Sequence, residues 1–80
     1  MCYAYILKSL KDYKYYYGSC EDLERRLNNH NAGRVKSTKS RTPLVVHYFE
    51  EHNTRSEAQK REYFFKTMSG YIWLKENNII

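Results

Sequence analysis

The sequence predicts a small α+β domain: a three-stranded sheet whose first two strands form an antiparallel hairpin, flanked by helices in the order β-β-α-β-α-α. Three observations predict it. Two tyrosine-rich runs, residues 3–9 (YAYILKS) and 13–19 (YKYYYGS), flank the short Leu10-Lys11-Asp12 segment, as the arms of a hairpin do. A third run of β-branched and aromatic residues, PLVVHYFEE, stands between two stretches with helical periodicity. Finally, 80 residues leave room for one domain, spanning 1–80, and no more.

Each element has its own signal. The second hairpin arm reaches Gly18, a residue that lets a backbone or another group come close. Ser19 with Asp22 three residues on resembles a capping box, and Cys20 is an equal candidate for the cap, so EDLERRLNNHN reads as a helix over about 21–31. Gly33 follows as its C′ residue. Residues 33–42 (GRVKSTKSRT) lack apolar periodicity and carry Arg34, Lys36, Lys39 and Arg41 with no acid, which makes them a basic loop expected to order on binding. Pro43 opens a strand over about 44–50. Thr54 or Ser56 caps a second helix running to about Met68, Gly70 breaks it, and YIWLKENN closes the chain as a short helix.

Composition sets the scale of the core and the kind of partner. A domain this short buries only about 60–65% of the surface its unfolded chain exposes, so its core needs large side chains. Nine tyrosines, three phenylalanines and one tryptophan supply them. The net charge of +5 points to a polyanion, nucleic acid before an anionic membrane surface. No apolar run approaches the roughly 20 residues that cross a bilayer. Cys2 and Cys20 have no metal-ligand spacing, and without a leader pattern the chain is expected in the cytoplasm with its thiols reduced.

Several polar residues fall where apolar ones are expected. At 100° per residue, Leu23, Leu27 and His30 share one arc of about 60° on the first helix, with Arg26 beside it. Arg26 and His30 stand i,i+4 and reach one point. On the second helix Glu62 shares the stripe of Ala58 and Phe65, where a carboxylate needs a cation or a metal beside it. Two readings stay open there: a structural pair with Arg26 or Arg61, or a ligand for Mg²⁺ or Mn²⁺. Tyr5 and Tyr16 of the hairpin line the sheet beneath both helices if the register pairs residues with an odd index sum.

In this order Tyr3-Ala4-Tyr5, Tyr16-Tyr17-Gly18, Arg26, His30 and Glu62 resemble the motifs of the GIY-YIG endonuclease superfamily. The likeness is to its small single-domain members, similar to the N-terminal domain of the UvrC excision-repair nuclease, and covers roughly residues 3–75. It departs from them at Tyr3-Ala4, in place of Gly-Ile, and at Ser19, in place of a lysine. The resemblance implies a metal-dependent endonuclease that hydrolyses DNA, branched or damaged structures included, with a single Mg²⁺ or Mn²⁺. It implies catalytic roles for Tyr5, Tyr16, Arg26, His30 and Glu62: Arg26 on the phosphate, Glu62 on the metal, and Tyr16 as general base with Tyr5 in support. Gly18 closes the second motif. Beside such a site Arg34, Lys36, Lys39 and Arg41 become contacts to the nucleic-acid backbone, DNA before RNA, joined by the hydroxyls of Ser37, Thr38 and Ser40. Two other readings stand beside it: a binding module of the same fold that does not cut, and a structural domain.

Overall fold

Strand β1 (Cys2–Ser9) is the middle of a three-stranded antiparallel sheet of order β2-β1-β3, with β2 at Tyr15–Cys20 and β3 at Leu44–His52. The computed structural model describes all 80 residues. A central strand covered on both faces reads as a continuous apolar run, and Ala4, Tyr5, Ile6 and Leu7 are each at most 1% exposed. Their side chains alternate between two cores. Tyr5 and Leu7 pack with Leu44, Leu23 and Leu27, under helix α1 (Leu23–Asn31). Ala4 and Ile6 pack with Phe65 and Leu74, under α2 (Arg55–Phe65) and α3 (Met68–Glu76).

The helices that carry Arg26 and Glu62 therefore cover opposite faces of the sheet. This corrects the expectation that both lie over the hairpin phenols. Helical periodicity identifies an apolar stripe, but says nothing about which face of a sheet receives it.

The hairpin register pairs Tyr5 with Gly18 and Leu7 with Tyr16, an odd index sum, which puts both phenols on the α1 face. Tyr13 at the turn has φ 60°, the left-handed region, and its amide reaches Ser9 O at 2.9 Å. Between β1 and β3 the pairing shifts at Ile6/Leu7, so that Tyr48 faces Ile6 and Val46 faces Leu7. Thr54 caps α2 by accepting from the Glu57 amide at 3.2 Å.

The second hairpin arm, read over 13–19, begins at Tyr15, β3 runs on to His52, and three helix boundaries differ as well. Asp22, not Ser19 or Cys20, caps α1 by accepting from the Arg25 amide at 3.0 Å, because β2 continues through both of the latter. Helix α2 ends at Phe65 and not near Met68. Gly70 lies inside α3, buried, and the break belongs to Thr67, whose hydroxyl accepts from the Gly70 amide at 3.0 Å. A Cβ on Gly70 would stand 1.8 Å from the Phe64 carbonyl oxygen, so its glycine serves the close approach of α3 to the end of α2.

The basic segment is tied to its neighbours at its ends. Asn31 grips the Leu44 backbone on both sides, Nδ2 to O at 2.9 Å and N to Oδ1 at 2.7 Å, and Lys39–Arg41 form a single 3₁₀ turn. Gly33, with φ +75°, follows α1 as expected of a C′ residue. No helix is long and apolar enough to cross a membrane.

Candidate active site

Under α1 four of the five singled-out residues meet. Tyr5, 1% exposed, lies across the strand from Gly18, whose missing side chain admits the phenol: a Cβ there would be 2.4 Å from Tyr5 Oη. Arg26 Nε donates to Tyr5 Oη at 3.4 Å, and Tyr5 Oη stands 3.3 Å from His30 Nε2. The Tyr16 ring meets His30 edge to face at 4.9 Å and lies 6.5 Å from Tyr5. His30 is fully buried, and its Nδ1 is 2.7 Å from Thr38 Oγ1.

We assign His30 the Nδ1–H tautomer, in which Nδ1 donates to Thr38 Oγ1 at 2.7 Å and the threonine hydroxyl keeps its long 3.5 Å contact with Val35 O. His30 Nε2 is then an acceptor and takes the proton of Tyr5, whose oxygen in turn accepts from Arg26. Burial, with the Arg26 charge nearby, pushes the His30 pKa down to about 4 and keeps the ring neutral. Burial also pushes Tyr5 up to about 12, against the hydrogen bond and charge of Arg26 that work to lower it. Arg26 itself is raised, first by its bond to Tyr5 and further by the phenol of Tyr16.

Glu62 is elsewhere. Its Oε1 accepts from Ser19 Oγ at 2.7 Å and its Oε2 from Lys66 Nζ at 2.8 Å. Ser19 follows Gly18 in β2 and so points to the opposite face, toward α2. Neither Arg26 nor Arg61 neutralises Glu62. Arg61 instead forks onto Glu50, at 2.8 and 3.1 Å, and lies 4.3 Å from the centre of the Trp73 ring. Burial works to raise Glu50, but that fork and the Tyr48 hydroxyl hold its pKa below the ordinary value.

Among the loop cations, Arg34 donates to Asn29 at 3.0 Å, and Lys36 and Lys39 are exposed. Arg41 is drawn into the fold by Asp12 at 3.0 Å and by Tyr15 O at 3.4 Å. Thr38, read as a phosphate donor, is instead 0% exposed and spent on His30. Its place could not be found from a polar loop sequence. Ser19 was recognisable only as a departure from the family pattern.

Glu62 is not part of any cluster of three or more acidic, histidine or cysteine ligands. It fits a hard cation held by one carboxylate, with phosphate and water completing the shell, and does not fit a protein cage. An open groove of about 680 Å³ lies apart from these residues, between the start of α1 and Tyr3, Val46 and Phe49. Glu21, Asp22, Glu24 and Glu51 ring it, a sign of charge that repels phosphate.

The family profile of the GIY-YIG catalytic domain matches residues 1–78, nearly the whole chain. The chain belongs to the GIY-YIG catalytic domain family. Within it, the chain is similar to small proteins such as UPF0213 protein SH2523 of Staphylococcus haemolyticus, 46% identical over 74 residues, covering 91% of this chain and 89% of that one. UPF0213 protein lwe0147 of Listeria welshimeri is 48% identical over 68 residues, 84% of this chain and 74% of its own. Among solved structures, the solution NMR structure of UPF0213 protein BH0048 from Bacillus halodurans matches with a TM-score of 0.54 at 30% identity, over 95% of this chain and 84% of that chain. The chain is thus a nuclease-family domain. Tyr5 and Tyr16, the tyrosines that resemble those of the two motifs, stand on one face, and Gly18 between Tyr16 and α1 admits the Tyr5 ring.

Proposed function

We propose that this GIY-YIG domain hydrolyses phosphodiester bonds of DNA, on branched or damaged structures, with one Mg²⁺ or Mn²⁺. The observation that carries the proposal is Arg26. It is a half-buried guanidinium set against a phenol, with no carboxylate in ion-pair reach. A guanidinium left without an acid, beside neutral groups, is a seat for a phosphate oxygen.

The neighbouring side chains divide the remaining work. Tyr5 is a poor base, since its proton is committed to His30 and burial has pushed its pKa to about 12. Tyr16, half-buried and resting on the neutral His30 ring, is the phenol left to act as base: it would first release its own proton to solvent and, as phenolate, take the proton of the attacking water. Glu62 would hold the divalent ion, which when bound offsets negative charge on the leaving oxygen. Lys36 and Lys39 contact the backbone on either side without reading sequence.

The test is nicking of supercoiled plasmid, and of flap, fork and plain duplex DNA, in Mg²⁺ or Mn²⁺. Wild type is expected to cut, and Arg26→Ala and Glu62→Gln to abolish cutting while still folding, as circular dichroism and a cooperative melt show. Tyr16→Phe should slow cutting by about 10²–10⁴-fold, and Tyr5→Phe by less. No cutting of any substrate in either metal overturns the proposal.

One observation favours a second reading, a binding module. Both oxygens of Glu62 are already engaged, by Ser19 and by Lys66. Lys66 is 48% exposed along its side chain and is free to swing away, so Lys66→Ala should tighten Mn²⁺ binding if the nuclease reading holds. DNA binding without cutting, and no Mn²⁺ bound even by Lys66→Ala, would leave the module.

A further inference from the structure

We propose that Tyr13, Lys8, Tyr15 and His47 form a second contact, a stacking surface for single-stranded nucleic acid, at the hairpin-turn end of the sheet. It rests on nucleic acid being the ligand and extends that reading to a strand that has left the duplex.

Tyr13 stands out on two counts. It is a bulky residue at φ 60°, a conformation uncommon outside glycine and asparagine. The residue is 67% exposed, so the fold gains little buried area from it. A glycine or asparagine would close the same turn with less strain. Beside it the Lys8 ammonium lies 5.8 Å from the centre of the Tyr13 ring and 5.8 Å from that of Tyr15. The row continues from Tyr15 to His47, their rings 4.9 Å apart.

Aromatic rings with cations between them are the means by which proteins hold unpaired bases and their phosphates together, whatever the sequence. Charge agrees with this occupant. Lys8, Lys11 and Lys14 supply cations, and the one acid of the turn, Asp12, is used up on Arg41 and on the Lys14 amide. The surface is also joined to the basic segment. Lys11 Nζ donates to Ser40 O at 3.0 Å, Ser9 Oγ to Arg41 O at 2.6 Å, and the Leu10 amide to Pro43 O at 2.9 Å. A strand following Lys36 and Lys39 thus meets the Tyr13 ring without crossing an unpaired carboxylate of the turn.

The experiment is fluorescence anisotropy of the full chain in EDTA, so that nothing is cut. One probe is a labelled oligothymidine about a dozen nucleotides long, within the usual reach of such surfaces. The other is a blunt DNA duplex of similar length. Tyr13→Ala is expected to weaken oligothymidine binding by at least about fivefold, with duplex binding unchanged. Tyr13→Trp should bind the oligothymidine at least as well as wild type. Tyr13→Gly should melt higher than wild type yet bind the single strand as weakly as Tyr13→Ala, which separates lost stacking from lost folding. Unchanged oligothymidine affinity in Tyr13→Ala, or an equal loss on both probes, overturns the inference. Wild type that binds the duplex but not the oligothymidine sinks this inference alone, and wild type that binds neither sinks the nucleic-acid reading with it.

Discussion

Replacing Gly18 with alanine tests how the site is assembled, because it adds one methyl group at the point where the hairpin is thinnest. The new Cβ would lie 2.4 Å from Tyr5 Oη and 2.5 Å from Cζ, where ordinary contact begins at 3.4 Å. The phenol must therefore retreat by about 1 Å. It has little space for this, being 1% exposed and packed between Tyr16 and His30. Overpacking of this kind costs about 1–3 kcal/mol. The two bonds of Tyr5 Oη, at 3.3 and 3.4 Å, are already near their limit, and losing them adds about 1–2 kcal/mol. A total near 3 kcal/mol in a domain this small lowers Tm by roughly 12–24 °C. Circular dichroism melts of Gly18→Ala measure it. On a Tyr5→Leu background the same change should cost at least about 1 kcal/mol less, since the clashing atoms are gone. A drop in Tm under about 3 °C, or equal costs on both backgrounds, would refute the claim that this glycine exists to admit the Tyr5 ring.

Other outcomes follow from the same cluster. Thr38→Val should cost about 1–3 kcal/mol by stranding the buried Nδ1–H of His30, and Thr38→Ser should restore it. The ring ¹⁵N shifts of His30 report the tautomer directly, and identical spectra in Thr38→Val would discard the assignment. With its pKa near 4 when folded and about 6.5 when unfolded, His30 binds its proton more readily in the unfolded chain. Stability is then full above pH 6.5 and declines as pH falls toward 4, by up to about 3 kcal/mol. Tm against pH should show this slope in wild type and lose it in His30→Gln. Neutralising Lys36 and Lys39 should lower the salt slope of duplex binding by about 0.9 for each phosphate left without its cation, and an unchanged slope would remove the loop from the interface.

Much of this architecture is legible in the residues, and the parts that are not have physical reasons. The tyrosine-rich arms and the lone β-branched run mark the three strands, and the odd register that brings Tyr5 and Tyr16 to one face is the one their parity requires. The coverage of both faces also has a signal, the unbroken apolar run Ala4–Leu7 of a central strand, but such a run does not say which helix takes which face. Gly70 misleads because a glycine marks a helix break and a close helix contact equally well, and only the Phe64 carbonyl beneath it decides between them. Thr38 has no signal at all. A polar residue in a basic loop reads as solvent-facing, and its burial depends on His30, which arrives from another element.

The separation of Arg26 from Glu62 changes what the site can be. Their supports, Gly18 and Ser19, are successive residues of β2, one opening the α1 face to Tyr5 and the other presenting Glu62 on the α2 face. A phosphate cannot pass through the sheet between them. It can reach both only around β2, which is an edge strand with no outer neighbour. On the proposed reading, that bare edge is therefore part of the active site and not an unprotected margin of the fold. Edge strands normally need blunting against pairing with other chains. Here an added strand beside β2 would lie between the guanidinium and the carboxylate, so whatever pairs with that edge should compete with substrate.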